Sequence, residues 1–381
     1  MENKRKRILD MVKDGKLSTD EALTLLEALD REEAGEMAPK EDSAENGEQA
    51  TNGGSGEAGS STGQKKFRDA DRNINETKEK LFDLVGGALK KIKDFDLQLG
   101  QSAEVSHVFQ QSLPETDMIE LDIANGHLTF KQWDQEDVRI ECQAKVYRTN
   151  DREDARSFLL NNSTFSVEGG RLVFSTQSKW MKVDTAVYVP ASRYRKITLS
   201  TFNGNVQVKD IQADQLKVKT LHGKVLVEHA DLETAEVETG NGTVDFDGNT
   251  IGQVEVQTMN GDIRWNGACR RSDFEAFNGN ITVKTAPGAD SLHSKTVSGN
   301  IEMAIPENIS VHGEGKTNFG NFAIDLQGME KYEERKEMIQ KVARFSRKGT
   351  TEPALYIFAD AKTGSITINE QKPEEEESPE A

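Results

Sequence analysis

Cysteine is nearly absent from this sequence: Cys142 and Cys269 stand alone and far apart. That spacing excludes a disulfide framework and a thiolate zinc cluster, and leaves two buried free thiols as the expectation. There is no apolar run of the roughly 18 residues a membrane helix needs, and the basic start MENKRKRILDMVKDGK is not followed by a signal-peptide core. The cytoplasm is therefore the expected compartment, with a position peripheral to the membrane allowed. Surface exposure would require unconventional export. Net positive charge is lacking too. The formal balance is −18, which argues against a phosphate-binding surface over the whole molecule and leaves room only for a local basic patch; no nucleic-acid partner is expected. Aromatics are only 6% and hydrophobics 35% of the residues, too few for one large globule. Such composition fits a thin, extended core with disordered segments beside it.

The motifs of common enzyme classes are missing as well. There is no Walker loop, dinucleotide fingerprint, GxSxG elbow or calcium-roll nonapeptide, and the six histidines show neither HxH nor HExxH spacing. No cofactor and no metal are expected. Clustered carboxylates remain the one enzymatic pattern to weigh. Asp245, Asp247 and Asp262 sit on one side of the turns described below, and Glu236, Glu238 and Glu255 precede them. Lys217 and Lys219 occupy the positions of Glu236 and Glu238 in the neighbouring repeat, so opposite charges on a solvated sheet face explain the pattern more simply than a glycoside-cleaving site. Trp180-Met181 is a candidate exposed pair, with a strand-core reading equally open.

Present in abundance is a repeat. From Ile197 onward a unit of about nineteen residues recurs, as in KITLSTFNGNVQV, LKVKTLHGKVLV, AEVETGNGTVDF and VEVQTMNGDIRW. Its turn glycines are Gly204, Gly223, Gly242, Gly261, Gly279 and Gly299, spaced 19, 19, 19, 18 and 20, with Gly320 continuing the series and Gly364 closing it. Asn203, Asn241, Asn260 and Asn278 precede their glycines, where Asn and Gly tolerate a tight corner. Apolar residues fall two and four positions after each glycine, as at Val206/Val208, Val225/Val227 and Ile263/Trp265, which directs them to one face. Thr201, Thr220, Thr239, Thr258 and Thr296 lie three before it, suited to a stacked hydroxyl ladder. Near-constant spacing with the same inward positions predicts a single β-solenoid rather than a sandwich of hairpins. Ser272 and Ser294 weaken the inward pattern in their rungs.

Around the repeat, residues 1–31 read as a small helical hairpin, with Ser18 and Glu21 at capping-box spacing, and 32–65 as a flexible acidic linker. Residues 66–112 read as an amphipathic helix and connector, in which Leu81, Val85, Leu89, Ile92 and Phe95 form an apolar stripe with Lys90, Lys91 and Lys93 beside it. That stripe would take a protein partner, a membrane surface, the β-domain or a second copy. The β-domain is expected over 113–370, with a short helix near Asp151–Leu160. An inserted helix is expected at 326–348, from Met329, Tyr332, Glu333, Lys336, Met338, Ile339, Val342 and Phe345. The tail 371–381 is acidic and reads as disordered.

The Thr-x-Asn-Gly-x-apolar-x-apolar repeat resembles a family of bacterial β-strand-repeat domains carrying an adhesin label. ILDMVKDGKLSTDEALTLLEAL resembles the N-terminal helical domain of YvlB/LiaX-like proteins. The resemblance implies a Gram-positive envelope-stress setting and, for LiaX-like members, a link to membrane-active antimicrobial peptides. It supplies no catalytic residues. The function expected from residues and resemblance together is a non-enzymatic interaction scaffold recruiting a partner or membrane through its N-terminal helices. A surface adhesin for peptide or glycan, and a carbohydrate-active enzyme, are the alternatives.

Overall fold

The computed structural model describes residues 101–112, 115–336, 339–350 and 352–371. The hairpin expected at 1–31, the linker 32–65, the stripe Leu81, Val85, Leu89, Ile92 and Phe95, and the tail beyond Gln371 lie outside the described residues.

Apolar alternation about a recurring turn produces stacked rungs. Gln212–His222, which leads into the Gly223 corner, pairs in parallel with Arg193–Asn203 on one side and Asp231–Asn241 on the other. Val225–Glu228, which leaves the corner, pairs in parallel with Val206–Lys209 and Val244–Asp247. Each segment thus bonds to its equivalent one repeat away, as a β-solenoid requires and hairpins do not. Leu216, Val218, Val225, Val227, Val237, Val244, Val256 and Ile263 are all buried in one continuous core. Trp265 points inward, its ring 5.2 Å from Phe246 and 5.8 Å from Phe274. Ser272 and Ser294 are also interior, and neither hydroxyl has a hydrogen-bond partner among the described residues.

The corner explains the glycines by close approach. A Cβ on Gly223 would sit 2.5 Å from the carbonyl carbon of Gly204, and one on Gly242 or Gly261 would meet the preceding corner glycine at the same distance. Backbone lies against backbone there, leaving no space for a side chain. The asparagines serve differently from expectation: none of them adopts positive φ. Instead their amides stack. Asn260 Nδ2 donates to Asn241 Oδ1 at 2.8 Å, Asn278 Nδ2 to Asn260 Oδ1 at 2.9 Å, and Asn203 Nδ2 to Asn125 Oδ1 at 2.9 Å. The threonine ladder is only partial. Thr201 and Thr220 join at 2.8 Å, whereas Thr258 and Thr296 donate to the carbonyls of Gly242 and Gly279, one rung back.

At both ends the stacking order departs from chain order. The Gly126 rung, built from Met118–Asn125 and Leu128–Trp133, lies between the Gly204 rung and the later segments Arg171–Thr176 and Met181–Pro190. At the other end Leu355–Ala361 and Ile366–Glu370, last in sequence, insert between the Gly299 and Gly320 rungs. Reading Gly364 as the closing corner is therefore corrected: Gly320 is stacked beyond it.

Two element expectations are overturned. The described residues of 326–348 do not form a helix. Met329–Lys336 and Lys341–Arg347 form an antiparallel pair, and the second strand also pairs with Val311–Thr317. The open edge of Val311–Thr317 carries backbone N–H and C=O groups that another strand satisfies and a helix cannot. Gly313 leaves room for the Phe345 ring, so the docked strand fits closely. Its outer neighbour, with Glu330, Lys331, Glu333, Glu334, Arg335 and Lys336, presents a charged edge that discourages further pairing. The β-domain also starts before 113. Ser102–Ser112 is a strand antiparallel to Asp137–Tyr147, hidden in the sequence because His107 interrupts its inward side and Val108 faces out.

The short helix appears as expected, at Arg152–Asn161, with Asp151 Oδ1 accepting the N–H groups of Glu153 and Asp154 at 2.7 and 2.9 Å. It buries Ala155 and Leu159 against the first strands. Cys142 and Cys269 are free and buried, and burial pushes both thiols up to about 12.

Candidate functional site

Stacking turns each outward position of the repeat into a column along the solenoid. Six residues before the corner glycines stand Lys217, Glu236, Glu255, Asp273 and His293; four before them stand Lys219, Glu238, Gln257, Glu275 and Lys295. The first column, with Lys196, Gln215 and Arg271, lines a groove of about 460 Å³, and the second column runs beside it.

Most charges on this face are matched across or along rungs. Lys217 Nζ lies 2.5 Å from Glu236 Oε1, Lys219 Nζ 2.7 Å from Glu238 Oε2, and Lys295 Nζ 2.8 Å from Glu275 Oε1. Gln257 donates to Glu255 at 2.7 Å. Burial, and then the neighbouring Glu236, raise the carboxyl of Glu238. Burial alone would lower Lys295, but Asp273 and Glu275 beside it outweigh that and hold it above the usual lysine range.

Asp273 is the exception. Burial pushes its carboxyl up to about 6 against the opposing pull of Lys295, with Glu275 and Glu255 adding to the rise. Its Oδ1 is buried without a hydrogen-bond partner among the described residues. His293, in the next rung, is held below the usual histidine range by burial and then by Lys295. Its ring meets Tyr356 and Phe358 edge-on, each at 5.9 Å.

The carboxylates singled out from sequence divide between two faces. Glu236 and Glu255 line the groove, and Glu238 stands in the column beside it. Asp245, Asp247 and Asp262 lie past the corner, on the segments that follow it. Lys224 and Arg264 pair with Asp245, Arg264 also with Asp262 at 3.2 Å, and Asn266 donates to Asp247 at 2.7 Å. Asp273, His293 and Lys295 were not singled out. Aligning the sequence on its turn glycines would have placed them in the same columns as Glu255 and Glu238. Trp180-Met181 is not an exposed platform: Met181 is buried, and the Arg148 guanidinium stacks 3.2 Å from the half-buried Trp180 ring. Among the described residues no group of three or more His, Cys, Asp or Glu is arranged to hold a metal, and no helix is long and apolar enough to cross a membrane.

The Toastrack DUF4097 family matches residues 116–350, and a SHOCT-like domain matches residues 3–34. The uncharacterized protein YvlB of Bacillus subtilis (strain 168) is 39% identical over 373 residues, covering 97% of this chain and 99% of that protein. Two solved structures are similar at low identity. One is a candidate adhesin from Parabacteroides distasonis ATCC 8503, with TM-score 0.41, 12% identity, and 70% of this chain and 97% of that chain covered. The other is a candidate adhesin from Parabacteroides merdae ATCC 43184, with TM-score 0.38, 11% identity, and 72% and 97% covered. The stacked rungs, the family match over most of the solenoid and the full-length relative agree that this chain belongs to the Toastrack DUF4097 family.

Proposed function

We propose that the protein is a non-enzymatic interaction scaffold of the bacterial cell-envelope stress response, its N-terminal segment recruiting a protein partner or membrane surface while the solenoid presents a rigid polar face. The observation that carries the reading is the matched lattice of Lys217–Glu236, Lys219–Glu238 and Lys295–Glu275 along one side of the groove. Lattice charges held by backbone register are pre-organised for recognition, and ordering them costs little on binding. The envelope setting rests on the resemblance of the leading segment to LiaX-like proteins.

Pull-down from membrane extracts and flotation with anionic and zwitterionic vesicles test this, comparing the full chain with a chain lacking residues 1–34. Binding that disappears on deletion is expected. Equal binding by both chains, or none by either, overturns it.

A carbohydrate-active reading is favoured by one observation: Asp273, protonated more readily than an ordinary aspartate, sits in a groove beside Glu255 on the adjacent rung. A carboxyl group with a raised pKa beside a second carboxyl group is the kind of pair that glycoside cleavage uses. Turnover of any member of a glycan panel that Asp273→Asn and Glu255→Gln both abolish would establish it, and absence of turnover by the parent chain would dismiss it.

A further inference from the structure

One outward column has no place in the charged lattice. Two residues before the corner glycines stand Phe202, Leu221, Gly240, Met259, Phe277 and Val297. This line lies between Lys219, Glu238 and Glu275 on one side and the asparagine ladder on the other, so polar residues suit the neighbouring columns and the solenoid itself does not demand apolar ones here. Phe277 is 37% exposed, and Phe202, Met259 and Val297 are half-buried. Leu221 is only 6% exposed although it lies outside the central core, because its side chain folds over the next rung. Gly240 makes the room, since a Cβ there would come within 2.8 Å of Leu221 Cδ1. The result is a continuous apolar ridge along the corner.

We propose that this ridge is the docking site for the chain's own segment Leu81–Phe95, laid along it as an amphipathic helix. The proposal goes beyond the scaffold reading and stands independently of it. Length agrees. From Phe202 to Val297 is five rung steps, about 24 Å at ~4.8 Å each, and a helix from Leu81 to Phe95 is about 21 Å long at 1.5 Å per residue.

The point of entry agrees as well. Ser102 pairs with Tyr147, and Tyr147 N–H bonds to Trp180 O at 2.9 Å, at the turn stacked next to the Gly126 corner. The chain therefore enters the described structure at the corner line itself. Four strand steps, about 19 Å, separate Ser102–Ser112 from the Phe202 rung. Residues 96–101, extended at about 3.3 Å each, reach about 20 Å.

Charge also fits. Lys90, Lys91 and Lys93 flank the apolar stripe of the segment, Asp83 and Asp94 offset two of the three and leave it with one net positive charge, and the two columns beside the ridge hold Glu236, Glu238, Glu255, Asp273 and Glu275 against Lys217, Lys219 and Lys295. Five carboxylates against three lysines leave that side acidic.

Hydrogen exchange read by mass spectrometry on the full chain tests this. Amides of 81–95 are expected to be protected at least tenfold over an unstructured peptide, at concentrations where sedimentation shows a monomer. Phe202→Glu/Met259→Glu, both outward substitutions, should remove that protection while leaving exchange in Val225–Glu228 unchanged. Leu89→Glu should remove it from the segment's side. Absence of protection in the parent chain, protection that survives Phe202→Glu/Met259→Glu, protection that fades on dilution (a second copy), or protection only with anionic vesicles (a lipid surface) would each overturn the proposal.

Discussion

Replacing Gly242 by alanine tests the corner geometry most directly. The added methyl would lie 2.5 Å from the Gly223 carbonyl carbon and 3.2 Å from Lys224 N, where carbon contacts ordinarily settle at about 3.5–4.0 Å. Both obstacles are backbone, so no rotamer relieves them, and the rungs must part by about 1 Å. That separation weakens the bonds joining those two rungs, Gly223 N–H to Asn241 O and Val225 N–H to Thr243 O, each 2.9 Å, and the Asn241–His222 side-chain bond at 3.0 Å. At about 1 kcal/mol net for each bond, with some lost packing of Val244, the cost is about 3–5 kcal/mol. That is a large fraction of the roughly 5–15 kcal/mol holding a typical fold. Gly169→Ala is the control. Gly169 has φ +58° with nothing within 4 Å of a Cβ, so alanine there meets only the left-handed backbone penalty of about 1–2 kcal/mol. Urea unfolding followed by far-UV circular dichroism compares the two. Equal losses, or a Gly242→Ala variant within 1 kcal/mol of the parent, would refute close approach as the reason for the corner glycines.

Asp273 gives a pH signature. The unfolded aspartate titrates near ~3.9 and the folded one at about 6, so between those values the folded state holds a proton that the unfolded state has released. The contribution of Asp273 to stability is thus fullest below about pH 4, falls as pH rises through 6, and levels off above. Asp273→Asn should stabilise the protein at pH 8 and not at pH 4; a gain of equal size at both would reject the assignment. Arg347, 3% exposed, donates to Ile309 O and Pro306 O at 3.0 Å each and pairs with Glu370, tying the terminal hairpin to the inserted rung. Arg347→Met leaves Glu370 without its partner and should cost about 3–5 kcal/mol, read as faster amide exchange in Leu355–Ala361; unchanged exchange there would count against the tie. Asn260→Ala removes two ladder bonds and should cost about 1–2 kcal/mol in the same urea assay, whereas a neutral result would make the ladder decorative.

The rungs were legible because their cause is local. A glycine corner with valine or isoleucine at fixed offsets fixes which side chains face in, and equal spacing forces equivalent segments into register, as Val206, Val225 and Val244 show. The groove was half legible: Glu236 and Glu255 stand out in the spacing as an outer face, but Asp273 and His293 join them only when the repeat is aligned glycine by glycine, and the raised carboxyl of Asp273 depends on burial that no spacing reveals. The apolar ridge escaped for the same reason, since Phe202 and Met259 look like ordinary strand residues until stacking puts them in one line.

What the sequence by itself determined is the repeating unit, because its information lies within one rung and is restated at each turn. Only the tertiary structure decided the ends. There the order of stacking leaves the order of the chain: Leu355–Ala361 slips between rungs made earlier, and Lys341–Arg347 becomes a strand because Val311–Thr317 offers it an edge. An exposed row of backbone donors and acceptors is a demand set by distant residues, and it overrides the helical spacing of Met329, Tyr332, Lys336 and Ile339.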